Sequence, residues 1–278
     1  MKNKLKGFEA SHPLLRDVAK YIEGCHMKDG GYFFARVEPS GGLDTYCAVK
    51  SLSILGVKPS HPRAIANFFL DRFETGTIVD IPGIFFAAEV LNELGKMTSG
   101  FKDYALAKLP AFRNDAGGFG SYQNMYIEIP SELRATYRAI RVLMIVGGEF
   151  NKDGIRRFTR EFLNEDGGYG GKGYSTLAST FYATETYKML GLDVPELTAT
   201  KEFLRKREEE YVQYIEDMYW LVMALVNLGE KTRLPQKVAE FVTMCQRRNA
   251  GFARSTYGIP TLEYTFYALS ILREAGVL

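Results

Sequence analysis

Apolar residues recur along most of this chain at helical spacing, and no stretch keeps the alternation of a strand convincingly. Two kinds of segment alternate. One kind is poor in charge and ends at a glycine. Aligned without gaps on that glycine, six fourteen-residue segments read LDTYCAVKSLSILG, PGIFFAAEVLNELG, RATYRAIRVLMIVG, ASTFYATETYKMLG, EDMYWLVMALVNLG and EYTFYALSILREAG. They end at Gly56, Gly95, Gly147, Gly191, Gly229 and Gly276. The fourth column is always aromatic (Tyr46, Phe85, Tyr137, Phe181, Tyr219, Phe266), the sixth is alanine except at Leu221, and the tenth is leucine except at Tyr187. A glycine at each end suits the left-handed residue that closes a helix.

The other kind of segment precedes each of these and carries charge on one face only. Examples are LLRDVAKYIEGC, HPRAIANFFLDRFE and ELTATKEFLRKRE. That is the pattern of a solvent-facing outer helix. Between the two kinds recurs a glycine–aromatic phrase: KDGGYFF, NDAGGFG, EDGGYGG and NAGFARS. Here glycine supplies a positive φ and the aromatic tucks under the turn. No Gly-Lys-Ser/Thr follows a strand, so these are connectors rather than phosphate loops. The expectation is an all-α fold, six helix pairs in an (α/α)6 barrel, as one domain over residues 1–278. Inner helices so low in charge favour closure into a ring over an open array.

Within the inner segments, the first, fifth and eighth columns share a face. The fifth reads Cys47, Phe86, Arg138, Tyr182, Trp220, Tyr267, and the eighth reads Lys50, Glu89, Arg141, Glu185, Met223, Ser270. The first four residues of the eighth column alternate in sign, so a charge-paired belt beneath an aromatic layer is expected around a central cavity. Arg134, Arg138 and Arg141 stack on one face of the third inner segment. Like charges at that spacing repel, so Glu132, Glu89, Glu185 or an anionic ligand should compensate them.

Composition adds exclusions. Of 278 residues 46% are hydrophobic and 24% charged, the net charge is +2, and no basic run marks a nucleic-acid surface. No apolar window is long enough for a membrane span, and MKNKLKGFEASHP lacks the apolar core of a signal peptide. Three widely separated cysteines (Cys25, Cys47, Cys245) point to reduced thiols in a cytoplasm. The histidines, His12, His26 and His61, and the adjacent Cys25–His26 lack metal-ligand spacing.

Six helix pairs, GGY/GGF turns and helices of the form TYxA-xxxL resemble the prenyltransferase/terpene-cyclase superfamily, above all protein prenyltransferase β subunits, over about residues 14 to 276. The resemblance implies a barrel whose central funnel holds an isoprenoid chain, and a helical α-subunit partner. The family's Asp-x-Arg-x-x-Tyr-x-Ala pattern matches Glu132 to Ala139, so Arg134 and Tyr137 resemble residues aimed at the substrate. The family's diphosphate-gripping histidine matches Thr176, and its diphosphate Arg and Lys match Glu210 and Gln213. Its zinc ligands match Glu216, Met218 and Tyr264. Met218 and Tyr264 are not zinc donors, and Glu210 and Gln213 remove positive charge where a diphosphate needs it. The Asp-x-Asp-Asp acid of class II terpene cyclases and the tryptophan-rich repeat signature do not occur. Neither standard chemistry is expected, and no metal or cofactor.

Three functions stand side by side. The first is a protein that binds a hydrophobic, isoprenoid-like molecule through Arg134, Tyr137, Arg138, Tyr182, Tyr219, Trp220 and Tyr267, an anionic head lying near Arg134 and Arg138. The second is a diverged enzyme, either a hydrolase or lyase using Asp44, Glu216, Asp217 and Glu263 at the inner-helix starts, or a prenyltransferase completed by a partner chain. Acids there are also favoured by the helix dipole alone. The third is a protein-interaction module.

Overall fold

A computed structural model describes residues 13–120, 129–210 and 212–278, without the side chains of 13–16 and 129–131. Its helices alternate as expected. The outer set is α1 (Pro13–Glu23), α3 (Pro62–Glu74), α5 (Ser99–Lys108), α7 (Lys152–Arg160), α9 (Leu197–Glu209) and α11 (Pro235–Met244). The inner set is α2 (Gly42–Ile54), α4 (Ile81–Glu93), α6 (Ile129–Val146), α8 (Leu177–Leu190), α10 (Ile215–Asn227) and α12 (Leu262–Glu274). All six closing glycines are left-handed, with φ between 62° and 81°. A Cβ there would meet nothing, so backbone conformation alone selects glycine.

Two connectors depart from pure helix and loop by forming two-residue antiparallel hairpins. These are β1 (Gly170–Gly171) with β2 (Tyr174–Ser175), and β3 (Phe252–Ala253) with β4 (Pro260–Thr261).

The chain packs as two compact units. The first comprises Met1–Asp71, Val212–Val222 and Lys231–Leu278; the second comprises Arg72–Tyr211 and Met223–Glu230. Two of the four boundaries fall within α3 and α10. In the first unit α2 packs along α12, with α1 on α2 and α11 on α12. In the second, α6 lies between α4 and α8, with α5 on α6 and α7 on α8.

The four glycine–aromatic turns each fasten a helix pair together. Their aromatics, Tyr32, Phe119, Tyr169 and Phe252, are at most 2% exposed. An acid or amide opens each turn: Asp29 accepts from the backbone N–H of Gly31 and from Ser40, and Asp166 does the same for Gly168 and Ser175. A Cβ on Gly167, at φ 82°, would lie 2.3 Å from the backbone of Ala199 in α9. Glycine is required there twice over, for its φ and for its lack of bulk.

Each turn is also tied to the inner helix that follows. The N–H of Tyr32 donates to Thr45 Oγ1 at 2.9 Å, Phe119 to Thr136 at 2.9 Å, Tyr169 to Thr180 at 3.0 Å and Phe252 to Thr265 at 3.1 Å. These threonines form the third column of the aligned segments. The two copies without such a turn, α4 and α10, carry Ile84 and Met218 in that column. The acceptor is present wherever the turn supplies a buried donor to satisfy.

Candidate functional site

In the second unit the fourth-column rings touch in sequence. Phe85 and Tyr137 have centroids 5.9 Å apart, and Tyr137 and Phe181 6.3 Å. Fifth-column side chains extend this surface, since Tyr182 lies 5.5 Å from Tyr137 and the Arg138 guanidinium lies over Phe85 and Phe86, at 5.4 and 5.1 Å. Ring faces attract a cation, so Arg138 is held by aromatic surface.

The three stacked arginines of α6 are therefore accommodated in three ways. Arg141 donates to Glu89 at 2.5 Å, where Glu89 is 4% exposed and Arg141 37%. Arg138 spreads on the phenyl rings, and Arg134 is exposed to solvent. Of the charges expected to form a belt, Glu89 and Arg141 pair. Glu185 lies near enough for Arg141 and Lys188 to lower its pKa, but burial dominates and raises it. Burial raises the carboxyl of Glu132 as well. The Tyr137 hydroxyl is held far above its ordinary range by burial, with Glu185 and Glu89 adding to the effect.

The first unit builds a second aromatic row. Tyr46 and Tyr219 each meet Phe266, at 5.8 and 5.9 Å, and Tyr267 stacks on Tyr219 at 4.4 Å. The Tyr267 hydroxyl donates to Glu263 at 2.9 Å. Trp220, one residue beyond Tyr219, has a buried indole N–H without a partner among the described residues.

The structure thus groups the seven sequence candidates into two sets: Arg134, Tyr137, Arg138 and Tyr182 in the second unit, and Tyr219, Trp220 and Tyr267 in the first. A groove of about 700 Å³ between α11 and the end of α12, lined by Arg233, Leu234, Lys237, Ala275 and Val277 among others, includes none of them.

The four inner-helix acids also fall in the first unit. Burial pushes Asp44 up to about 6, with Glu263 raising it further while backbone N–H groups oppose the shift. Burial and then Glu216 raise Asp217. Glu216 accepts from Arg254 Nε at 2.5 Å, and that guanidinium lies 4.0 Å over the Tyr214 ring. The sequence reading passed over Arg254. It lies in the NAGFARS connector, 38 residues from its partner, and the backbone bond from Ile215 N–H to Arg254 carbonyl, 2.8 Å, helps bring them together.

The positions matched to functional residues of the prenyltransferases have other occupations here. Thr176 caps α8 by accepting from Ser179 N–H at 3.0 Å. Glu210 pairs with Arg207 at 2.8 Å. Glu216 and Tyr264 do come close enough to interact electrostatically, but the cation that Glu216 holds is Arg254. These residues do not fit the zinc that the resemblance implies, because one carboxylate committed to a guanidinium is the only suitable donor. Among the described residues, no three His, Cys, Asp or Glu side chains gather as a metal site would require. Also among them, no helix is long and apolar enough to cross a membrane, and the three cysteines are free and buried.

A search of curated proteins by sequence finds no match. Solved structures are similar across nearly the whole chain. Protein geranylgeranyltransferase-I from Candida albicans, complexed with GGPP, superimposes with a TM-score of 0.73 at 15% identity, over 95% of this chain and 93% of that one. A variant of the type II terpene cyclase MstE from Scytonema, in complex with its substrate geranylgeranyl dihydroxybenzoate, gives 0.64 at 11% identity, over 95% and 97%. A protein from Actinoplanes gives 0.63 at 14%, over 96% and 99%. The family model of the prenyltransferase alpha-alpha toroid domain matches residues 3–78, 73–218 and 200–276. With its alternating outer and inner helices and six glycine-closed repeats, this chain belongs to the prenyltransferase alpha-alpha toroid family.

Proposed function

We propose that this toroid binds a hydrophobic, isoprenoid-like molecule on the aromatic faces of its inner helices, without zinc-dependent prenyl transfer. The observation that carries the reading is the unbroken ring contact along each row, Phe85–Tyr137–Phe181 and Tyr46–Phe266–Tyr219. Partly accessible rings such as Tyr46 and Tyr137 leave apolar area for a ligand to cover. Two neighbours were solved with geranylgeranyl compounds, which supports the ligand class. Arg134, exposed, and Arg138, whose guanidinium edge keeps its donors, are the cations offered to an anionic end. The absence of a zinc donor set at Glu216, Met218 and Tyr264 supports a binding role or a changed chemistry. A cytoplasmic setting and a single domain over residues 1–278 belong to the same proposal.

Equilibrium dialysis against labelled geranylgeranyl diphosphate tests it. Tyr137→Ala should weaken binding about tenfold or more by removing a ring from the middle of one row. Arg134→Ala should weaken the diphosphate but not the parent alcohol. Binding indifferent to both variants would defeat the reading. A second reading, carboxylate acid–base chemistry, draws support from Asp44, held up to about 6 beside Glu263. It requires a turnover that Asp44→Asn abolishes.

A further inference from the structure

Two buried polar atoms on α10, in the first unit, have no hydrogen-bond partner among the described residues. Glu216 is 8% exposed; its Oε1 accepts from Arg254, while its Oε2 is buried without a partner. Trp220 stands one helical turn further along α10, and its Nε1 is likewise buried without a partner. Residues four apart share a helix face, about 6 Å from Cβ to Cβ. One face of α10 therefore carries an unmet acceptor and an unmet donor one turn apart. Buried groups are seldom left in that state.

We propose that this pair is a subsite for a hydroxyl group, alcohol or phenol, carried by an otherwise hydrophobic ligand. A hydroxyl both donates and accepts, so it can give its proton to Glu216 Oε2 and receive the indole N–H on its oxygen. The alternatives fit worse. An ammonium has no acceptor for Trp220. A phosphate or carboxylate is repelled by Glu216. An ether cannot donate to the carboxylate. Tyr264, close enough to Glu216 to interact with it, and Tyr214, beneath Arg254, supply apolar ring surface nearby. The polar group recognised here differs from the anionic end offered to Arg134 and Arg138, and the subsite rests on the proposed function only for the ligand's hydrophobic body.

Trp220 is the only tryptophan in the chain, so its emission reports on this subsite alone. The full chain is titrated with geranylgeraniol and with geranylgeranyl methyl ether. The alcohol should bind about tenfold or more tightly than the ether, as loss of one hydrogen bond to a charged acceptor implies, and its binding should shift the Trp220 emission. In Glu216→Gln the gap should close to about threefold or less, since a neutral acceptor is weaker. The comparison of alcohol with ether on the unaltered chain stands even if that variant fails to fold. Equal affinities, as expected if a water alone fills the subsite, would overturn the proposal. So would an unchanged gap in Glu216→Gln or an unmoved emission. If no geranylgeranyl compound binds, the isoprenoid reading fails by itself. The pair 1-dodecanol and dodecyl methyl ether then decides the hydroxyl subsite by the same criterion.

Discussion

The two units are built from the same repeat and carry similar aromatic rows, yet they treat their polar residues in opposite ways. In the second unit, Arg141 meets the buried Glu89 and Arg138 lies on two phenyl faces. In the first, the acids crowd the starts of α2, α10 and α12, Asp44 is pushed up by burial beside Glu263, and Glu216 keeps one buried oxygen unmet. The repeat makes the walls, whereas the departures from it make the chemistry. Charges that meet a partner, as Arg141 and Glu89 do, favour stability, whereas the unmet Glu216 and Trp220 atoms of α10 suit a site that receives something.

The comparison breaks most visibly at the ion pairs. Arg141→Met should cost about 2 kcal/mol in urea unfolding, because it takes a guanidinium away from a buried carboxylate; the usual cost of breaking a buried pair is reduced here by the partial exposure of Arg141. Arg254→Met should cost less than about 1 kcal/mol, since Arg254 is 52% exposed and solvent screens its attraction for Glu216. Equal costs would remove the distinction between the units.

A smaller effect is expected at the threonine ties. Thr180→Val should lose about 1–2 kcal/mol by leaving the Tyr169 N–H buried without an acceptor. Met218→Thr, in a copy with no turn above it, should gain nothing from the new hydroxyl.

A pH signature is expected as well. The Asp44 carboxyl is held up to about 6 in the folded chain, above its ordinary value. The native state therefore binds more protons than the unfolded state between about pH 4 and 6, and stability falls as pH rises through that window. Asp44→Asn lacks this ionisation. Its melting temperature relative to the parent should rise between about pH 4 and 7 and level off above. A difference independent of pH would show that the Asp44 shift has no effect on stability.

Much of the fold was legible in the sequence because a repeat states its own register. The aromatic, alanine and leucine columns and the closing glycines located every inner helix. The third column was equally visible but went unread. Thr45, Thr136, Thr180 and Thr265 follow the four glycine–aromatic turns, and Ile84 and Met218 mark the helices that lack one. The hairpin around Gly171, Lys172 and Gly173 carried no period long enough to detect. The site was harder to read. Face and column predicted which side chains share a helix surface, but the fates of Arg138 and Arg141 depend on α4, and that of Glu216 on a connector distant in sequence. Partners contributed from other elements leave no local pattern.

The central claim is that the aromatic faces hold a hydrophobic ligand, and native mass spectrometry of freshly purified chain, paired with a denatured run of the same sample, tests it most directly. The account predicts excess mass that vanishes on denaturation and matches a lipid or prenyl compound, or else uptake of added geranylgeranyl compounds by the apo chain. An apo chain that ignores every one of them would contradict it.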